Sequence, residues 1–153
     1  GEDREAIRNM MIASTIGGMA FISSNVGAVH AFAETVGALF DTPHGVANSL
    51  FLPYIMEFNI PACPERFADI ADAMGIEREE SMSDEQYALK AVEYVKALNR
   101  KLNIPTIKEI KGITEERFEA IAERSANNVL SNDNARKITK EDYLELLKKA
   151  YNE

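Results

Sequence analysis

The sequence predicts an all-α protein, and three observations favour this fold class. Apolar residues recur at steps of three and four along most of the chain, which is the spacing of an amphipathic helix. No segment alternates apolar and polar residues as a strand does, and no Asn-Gly hairpin turn or internal repeat occurs. The chain has 153 residues, 46% of them apolar, enough to bury a core. We therefore expect residues 1–153 to form a single helical bundle-like domain.

The first helix should lie at the centre of the bundle. A helix that is apolar on every face is normally buried, and this helix is apolar almost all round. The residues concerned are Met10, Ile12, Ala13, Ile16, Gly17, Met19 and Ala20. Gly17 and Gly18 would let another helix approach closely. A second buried helix is predicted from Gly27 to Phe40.

A turn at Asp41-Thr42-Pro43 should reverse the chain between the second and third helices. The third helix is predicted from Gly45 to Asn59. Because proline removes one helical hydrogen bond, we expect this helix to bend or restart at Pro53. A shorter amphipathic helix follows between residues 61 and 75, and Gly75 closes it.

Three further features are predicted in the carboxyl-terminal half. A helix begins with a capping box formed by Ser83 and Gln86 and is ended by Pro105, because proline disfavours helical geometry in the residue before it. Another helix begins after Thr114, and the last is capped near Thr139. The polar run at residues 131–134 predicts a turn between these two helices.

The charge and composition disfavour several kinds of partner. The chain has 25 acidic and 17 basic residues and a net charge of -8. Its basic residues are interleaved with acids, whereas a nucleic-acid surface needs clustered cations. Apolar runs are far shorter than a membrane span, and no signal-peptide pattern opens the sequence. We expect no membrane partner and a cytoplasmic location. Because the sequence begins with Gly1 rather than Met, we also expect a fragment.

The two histidines, His30 and His44, lie in one segment and are the candidate metal ligands. They converge only if consecutive helices fold back on each other, which Pro43 and Gly45 favour. Two imidazoles are half of a site, since a catalytic zinc normally takes three protein ligands. Glu34 lies one turn after His30 on the same face, where apolar neighbours would make an unpartnered carboxylate costly. By spacing alone, this pair is also typical of a structural core contact.

Four segments together carry a family signature. In chain order they are GMAF at 18–21, GAVHA at 27–31, GALFDTPHGVAN at 37–48 and LPYIMEFN at 52–59. They resemble the carboxy-terminal helical domain of the iron-containing alcohol dehydrogenase family. The similarity extends to the end of the chain, where Asn134-Ala135-Arg136 and the helix after Thr139 resemble the family's closing Asn-Pro-Arg segment and last helix.

The resemblance implies a fold, a metal site and a missing domain. The chain would be the carboxy-terminal, metal-side domain of a dehydroquinate synthase-like fold, with His30 and His44 as two of four metal ligands. In the family, the other two ligands are an Asp and a His on a helix upstream of this region. By this resemblance, that helix and the preceding nucleotide-binding α/β domain would be missing from this sequence. This chain also has no glycine-rich phosphate loop.

Three positions depart from the family pattern. The family often carries a second histidine one turn after the first ligand, near substrate and nicotinamide, where this chain has Glu34. The resemblance leaves Glu34 as a proton relay or as a carboxylate that orients a ligating imidazole. Thr35 stands where proline is common. Ala135 replaces the usual proline near the end, which should reduce rigidity rather than change the chemistry.

By resemblance, the parent would be an NAD(P)-dependent alcohol dehydrogenase that uses Fe²⁺ or Zn²⁺ and acts on a small alcohol or aldehyde. The isolated chain should be inactive, because it lacks the nucleotide-binding domain. Phe40, Phe51 and Met56 would face the cleft, and their partial exposure would favour a homodimer. A zinc-dependent relative of the glycerol dehydrogenase or dehydroquinate synthase type is one alternative. A helical interaction domain with structural histidines is another.

Overall fold

The computed structural model describes residues 1–153 and consists of helices and connections without a strand, which confirms the all-α prediction. The α-helices are α1 Arg4–Ser24, α2 Ala28–Phe40, α3 His44–Asn59, α4 Pro64–Ala73, α5 Asp84–Lys101, α6 Phe118–Ala126 and α7 Lys140–Asn152. Short 3₁₀ helices occupy Ile60–Ala62, Ile107–Glu109, Glu115–Arg117 and Val129–Asp133. The predicted turn at residues 131–134 is mostly the last of these 3₁₀ helices.

Helices α5 and α7 begin with the capping boxes that their sequences encode. At α5, Ser83 Oγ accepts from the Gln86 N–H at 3.2 Å, and the Ser83 N–H donates to Gln86 Oε1 at 3.0 Å. At α7, Thr139 and Asp142 make the same reciprocal pair. Each box satisfies two of the backbone groups that a helix start leaves unpaired. The predictions at Ser83 and Thr139 are confirmed.

Helix α5 ends through its own backbone rather than at the proline predicted to stop it. Asn103 adopts left-handed geometry with φ 55°. The Ile104 N–H donates to the Asn99 carbonyl at 3.0 Å, and the Asn103 N–H to the Arg100 carbonyl at 3.1 Å. These two bonds form a Schellman motif, which pairs carbonyls that the helix end leaves free. Pro105 therefore follows a helix that has already ended.

Of the bend or restart predicted at Pro53, the restart is wrong, because Pro53 lies inside a continuous α3, and the helix begins at His44 rather than Gly45. A proline at position 53 leaves the carbonyl of Ser49, four residues earlier, without its helical donor. The Asn99 side chain of α5 donates to that carbonyl at 2.6 Å. A neighbouring helix thus satisfies the acceptor that the proline releases.

The larger core is formed by α2, α3, α6 and α7 around three aromatic rings. The Phe32 ring stacks on Phe51 at a centroid distance of 4.2 Å, and the edge of Tyr143 meets Phe32 at 4.6 Å. Phe51 is buried, as is Met56, and Phe40 is half-buried. The prediction that Phe51 and Met56 are partly exposed is wrong, because this core and the second one enclose them.

The second core joins α4 and α5 to the end of α3. Its apolar contacts surround Tyr87, which is fully buried. The Tyr87 hydroxyl lies 2.7 Å from an Asp72 carboxylate oxygen and 2.5 Å from the Ile76 carbonyl oxygen. This arrangement gives the one polar atom of a buried ring its hydrogen-bonding partners.

Helix α1 contradicts the prediction that it lies at the centre. None of its residues is buried, and Met10, Met19 and Ile22 are 69%, 68% and 80% exposed. A Cβ atom added at Gly17 or at Gly18 would meet no neighbouring atom within 4 Å. The axis turns by 108° between α1 and α2, and α1 contributes no residue to either core. The apolar residues of α1 are exposed because neither core of this chain covers the helix.

None of the helices alone is both long and apolar enough to cross a membrane. Only α1 and α2 together, as a bent pair, are long and apolar enough for this. Most of α2 is packed in the larger core, where Ala28, Ala31 and Phe32 are fully buried. Its apolar character therefore has an explanation in the fold.

The fold predicts a specific loss of stability at alkaline pH. Burial raises the pKa of Tyr143 to about 12, against the opposing hydrogen bond from Ser131. An unfolded tyrosine ionises near pH ~10, so the stabilisation is complete below that pH and is lost as the pH rises towards 12. The difference between the folded and unfolded pKa values of Tyr143 corresponds to at most about 3 kcal/mol of folding free energy. We expect the free energy of unfolding, measured by urea titration from neutral to strongly alkaline pH, to fall less steeply with pH for Tyr143→Phe than for the parent chain.

The exposed Tyr94 of α5 provides the matched control, since Tyr94→Phe also removes one phenol. This variant should keep the alkaline slope of the parent chain. Identical slopes for Tyr143→Phe and the parent would contradict the assignment of the alkaline loss to Tyr143.

Candidate metal centre

The structure brings the two histidines together at the junction of α2 and α3. His30 lies in the first turn of α2, and His44 is the first residue of α3. Their ring centroids are 5.3 Å apart and the ring planes are inclined by 53°. The convergence expected from the sequence is therefore present, and both imidazoles can face one small ligand.

The turn between the helices depends on two backbone features. Asp41 has φ 53°, a left-handed conformation that its short polar side chain tolerates. Gly37 lies where an added Cβ would be 3.3 Å from the Thr42 carbonyl oxygen, so a side chain at Gly37 would crowd the returning chain. Pro43 then precedes α3 in an extended conformation. The reversal is thus encoded locally between Gly37 and Pro43.

Asn48 holds the His44 imidazole. Its Nδ2 lies 2.9 Å from His44 Nε2 and donates to the His44 carbonyl at 3.0 Å. Asn48 Oδ1 is buried without a hydrogen-bond partner. The sequence analysis did not assign a role to Asn48, although the spacing of four residues from His44 on one helix was a usable signal.

Glu34 is exposed rather than buried among its apolar neighbours, so it avoids most of the expected desolvation cost. Its Oε2 accepts from Asn128 Nδ2 at 2.8 Å. Asn128 is itself oriented, because its Oδ1 accepts from the Leu130 N–H at 3.0 Å. An open groove beside this pair includes Arg124 and Asn127. Nothing in the local sequence could have revealed the contact between Glu34 and Asn128.

The electrostatics of the pair favour a neutral His30. Burial lowers the pKa of His30, the nearby His44 lowers it further, and the negative charge of Glu34 opposes both effects. A neutral imidazole is the form that binds a metal ion. The arrangement thus reduces the competition of protons for His30.

The donor set fits part of a metal site. Imidazole nitrogen is a suitable ligand for both iron and zinc. No group of three or more His, Cys, Asp or Glu side chains in the structure is placed to hold a metal ion. The two imidazoles of His30 and His44 alone do not complete a metal site.

The opposing influences on His30 can be separated by NMR titration of its imidazole protons. The parent chain should show a His30 pKa below the ordinary value of about 6.5. Glu34→Gln should lower it further because a negative charge is lost, whereas His44→Gln should raise it because a neighbouring cation is lost. Shifts of the same sign in the two variants would contradict this electrostatic description.

Comparison with known proteins assigns the chain to a family. The sequence model described as "Fe-containing alcohol dehydrogenase family, C-terminal" matches residues 1–151. Lactaldehyde reductase of Escherichia coli strain K12 is 38% identical over 97% of this chain. The 1,3-propanediol dehydrogenase of Citrobacter freundii is 36% identical over 99% of it. Each match covers 39% of the relative's own length.

Solved structures show the same relationship. A crystal structure of a 1,3-propanediol oxidoreductase superimposes with a TM-score of 0.91 at 36% identity, covering 97% of this chain and 39% of that one. The iron-containing alcohol dehydrogenase from Thermococcus thioreducens gives a TM-score of 0.84 at 32% identity, covering 98% of this chain and 38% of that one. The chain belongs to the iron-containing alcohol dehydrogenase family and corresponds to its C-terminal part.

Proposed function

We propose that this chain is the metal-side domain of an NAD(P)-dependent alcohol dehydrogenase, in which His30 and His44 bind Fe²⁺ or Zn²⁺. The observation that carries the proposal is the convergence of the two histidines, with ring centroids 5.3 Å apart, in a member of this family. The relatives' names describe enzymes that act on small alcohols, diols or aldehydes, which supports the same substrate class here.

The metal would supply Lewis acidity that favours loss of the alcohol proton, and NAD(P) would accept the hydride. The residues of this chain hold and tune the site. His30 binds as a neutral imidazole because burial lowers its pKa. Asn48 lies against His44 Nε2 and restricts the direction of the ring. For His44 to bind the metal through Nδ1, Nε2 must carry the proton, and the Asn48 amide must turn its otherwise unpaired Oδ1 towards it. A ligand set held in this way loses less entropy on metal binding.

Glu34 acts in this proposal as the proton acceptor or orienting carboxylate beside the site. It follows His30 by one helical turn, and its charge raises the pKa of that imidazole. Asn128 occupies one carboxylate oxygen and restricts the side chain to one direction. The other oxygen has no hydrogen-bond partner within the chain and is available to a hydroxyl group of the substrate.

The remaining ligands and the nucleotide-binding surface would come from an amino-terminal domain, in agreement with the 39% share of the relatives that this chain spans. Helix α1 offers the apolar surface for that partner, since it has no buried residue of its own. The isolated chain would be inactive, because hydride transfer needs the cofactor and the metal in contact. We also propose a cytoplasmic location and a homodimer formed by the isolated chain.

The metal assignment predicts weak zinc binding by the chain. Two imidazoles provide half of a typical catalytic shell, so water must complete it. Isothermal titration calorimetry should detect binding that is lost in His30→Ala and in His44→Ala. Cys63→Ala is the matched control, because it removes the free cysteine, a common type of zinc ligand, without touching the pair.

In a longer parent that includes the upstream domain, His44→Ala should abolish metal content and alcohol oxidation while the helical circular dichroism is retained. Stoichiometric metal and normal turnover in either histidine variant would overturn the proposal and favour structural histidines.

The α1 surface predicts concentration-dependent association of the isolated chain. Exposed apolar surface of this extent is usually covered by a partner. Sedimentation equilibrium should show association of the parent chain and a large reduction in the double variant Ile12→Glu/Ile16→Glu, which charges α1. Leu102→Glu, at an equally exposed apolar residue outside α1, is the control. Unchanged association in the double variant would exclude α1 as the contact surface.

A further inference from the structure

Asn134 connects three parts of the chain around the start of α2. Its Oδ1 accepts from the Ala28 N–H at 3.3 Å and from Asn59 Nδ2 at 3.1 Å. Its Nδ2 donates to Asn59 Oδ1 at 2.7 Å and to the Arg136 carbonyl at 2.7 Å. Both lone pairs of Oδ1 and both N–H groups of Nδ2 are thus engaged, which fixes the orientation of this side chain.

The hydrogen bond from the Ala28 N–H to Asn134 Oδ1 caps the start of α2. The first N–H groups of a helix lack intrahelical partners, and a side chain at the N-cap normally accepts from them. The N-cap residue of α2 is Gly27, which has no side chain. Asn134 supplies this acceptor from a distant part of the sequence. His30 lies in the same first helical turn, two residues after Ala28.

The same side chain also reaches the helix that carries the second histidine. Asn59 is the last residue of α3, whose first residue is His44. The mutual amide contact therefore ties the start of α2 to the end of α3. Adjacent contacts strengthen this tie, since Arg136 Nη1 donates to the Phe58 carbonyl at 3.0 Å and its guanidinium lies 4.2 Å from the Phe58 ring.

The packing at this point leaves no spare space. A Cβ at Gly27 would lie 3.0 Å from Asn134 Oδ1 and 3.1 Å from Asn134 Cα. Asn25 Nδ2 also donates to Asp133 Oδ2 at 2.6 Å, which joins the preceding corner to the same segment. The position of α2 relative to residues 133–136 is therefore set by direct contact on both sides.

We infer that Asn134 is a positioning residue for the metal pair. From a distant part of the same chain it caps the start of α2 and ties that helix to α3. It thereby holds His30 at the correct distance from His44. This inference rests on the proposed metal-binding function. Removing Asn134 would leave the Ala28 N–H without its side-chain acceptor and Asn59 without a partner, so the first turn of α2 would lose its fixed direction. The two imidazoles would then bind one metal ion less well.

The test uses Cu²⁺, which binds imidazole more tightly than the other divalent first-row ions. Electron paramagnetic resonance of the 153-residue chain should show two nitrogen ligands, and loss of one in His30→Ala or His44→Ala. Asn134→Ala should weaken Cu²⁺ binding about tenfold, the scale on which residues that orient ligands act, and should reduce the two-nitrogen signal. Gly27→Ala, which displaces Asn134 without removing a hydrogen-bonding group, should act in the same direction.

Tyr87→Phe is the matched control, because it removes a buried hydroxyl in the second core, away from α2. It should lower the stability while leaving the Cu²⁺ affinity and the two-nitrogen signal unchanged. If Asn134→Ala and Gly27→Ala bind Cu²⁺ as the parent does while the histidine variants do not, the inference is wrong and the proposed function stands. If the histidine variants also bind Cu²⁺ through two nitrogens, the proposed metal site itself is wrong.

Discussion

The stacking of Phe32 on Phe51 is the contact on which the arrangement of the site depends. It joins α2 to α3 at a ring separation of 4.2 Å, with Tyr143 of α7 closing the edge at 4.6 Å. Phe32 is two residues from His30, so the helix that carries this histidine is held where the rings meet. Aromatic pairs have preferred geometries beyond simple area burial.

Apolar packing alone does not determine the direction of the imidazoles. Hydrophobic burial is non-directional, whereas hydrogen bonds weaken steeply when misaligned. Three asparagines provide the directional contacts: Asn48 on His44, Asn128 on Glu34, and Asn134 at the start of α2. An amide offers both donors and acceptors without a charge, so it orients a histidine or a carboxylate without placing another ion in the site.

The features that the sequence predicted correctly are those with local causes. The capping box at Ser83, the cap at Thr139 and the reversal at Pro43 each depend on residues within one or two helical turns. The features it missed depend on partners far along the chain. Pro53 stays inside α3 because Asn99 of α5 satisfies the released carbonyl, and Glu34 is exposed and held by Asn128. The convergence of His30 and His44 was predictable because one turn separates their helices, whereas the contact of Asn134 with Ala28 was not.

Helix α1 shows what apolar periodicity does and does not specify. Its pattern correctly predicts a helix, and 21 residues correspond to a rod about 30 Å long. The pattern does not specify what covers the helix. A single neighbouring helix buries one face only, and α1 is apolar on most faces, so several elements are needed to enclose it. Both cores of this chain are already filled by α2 to α7. The enclosing surface is therefore best sought in the part of the relatives that this chain does not span.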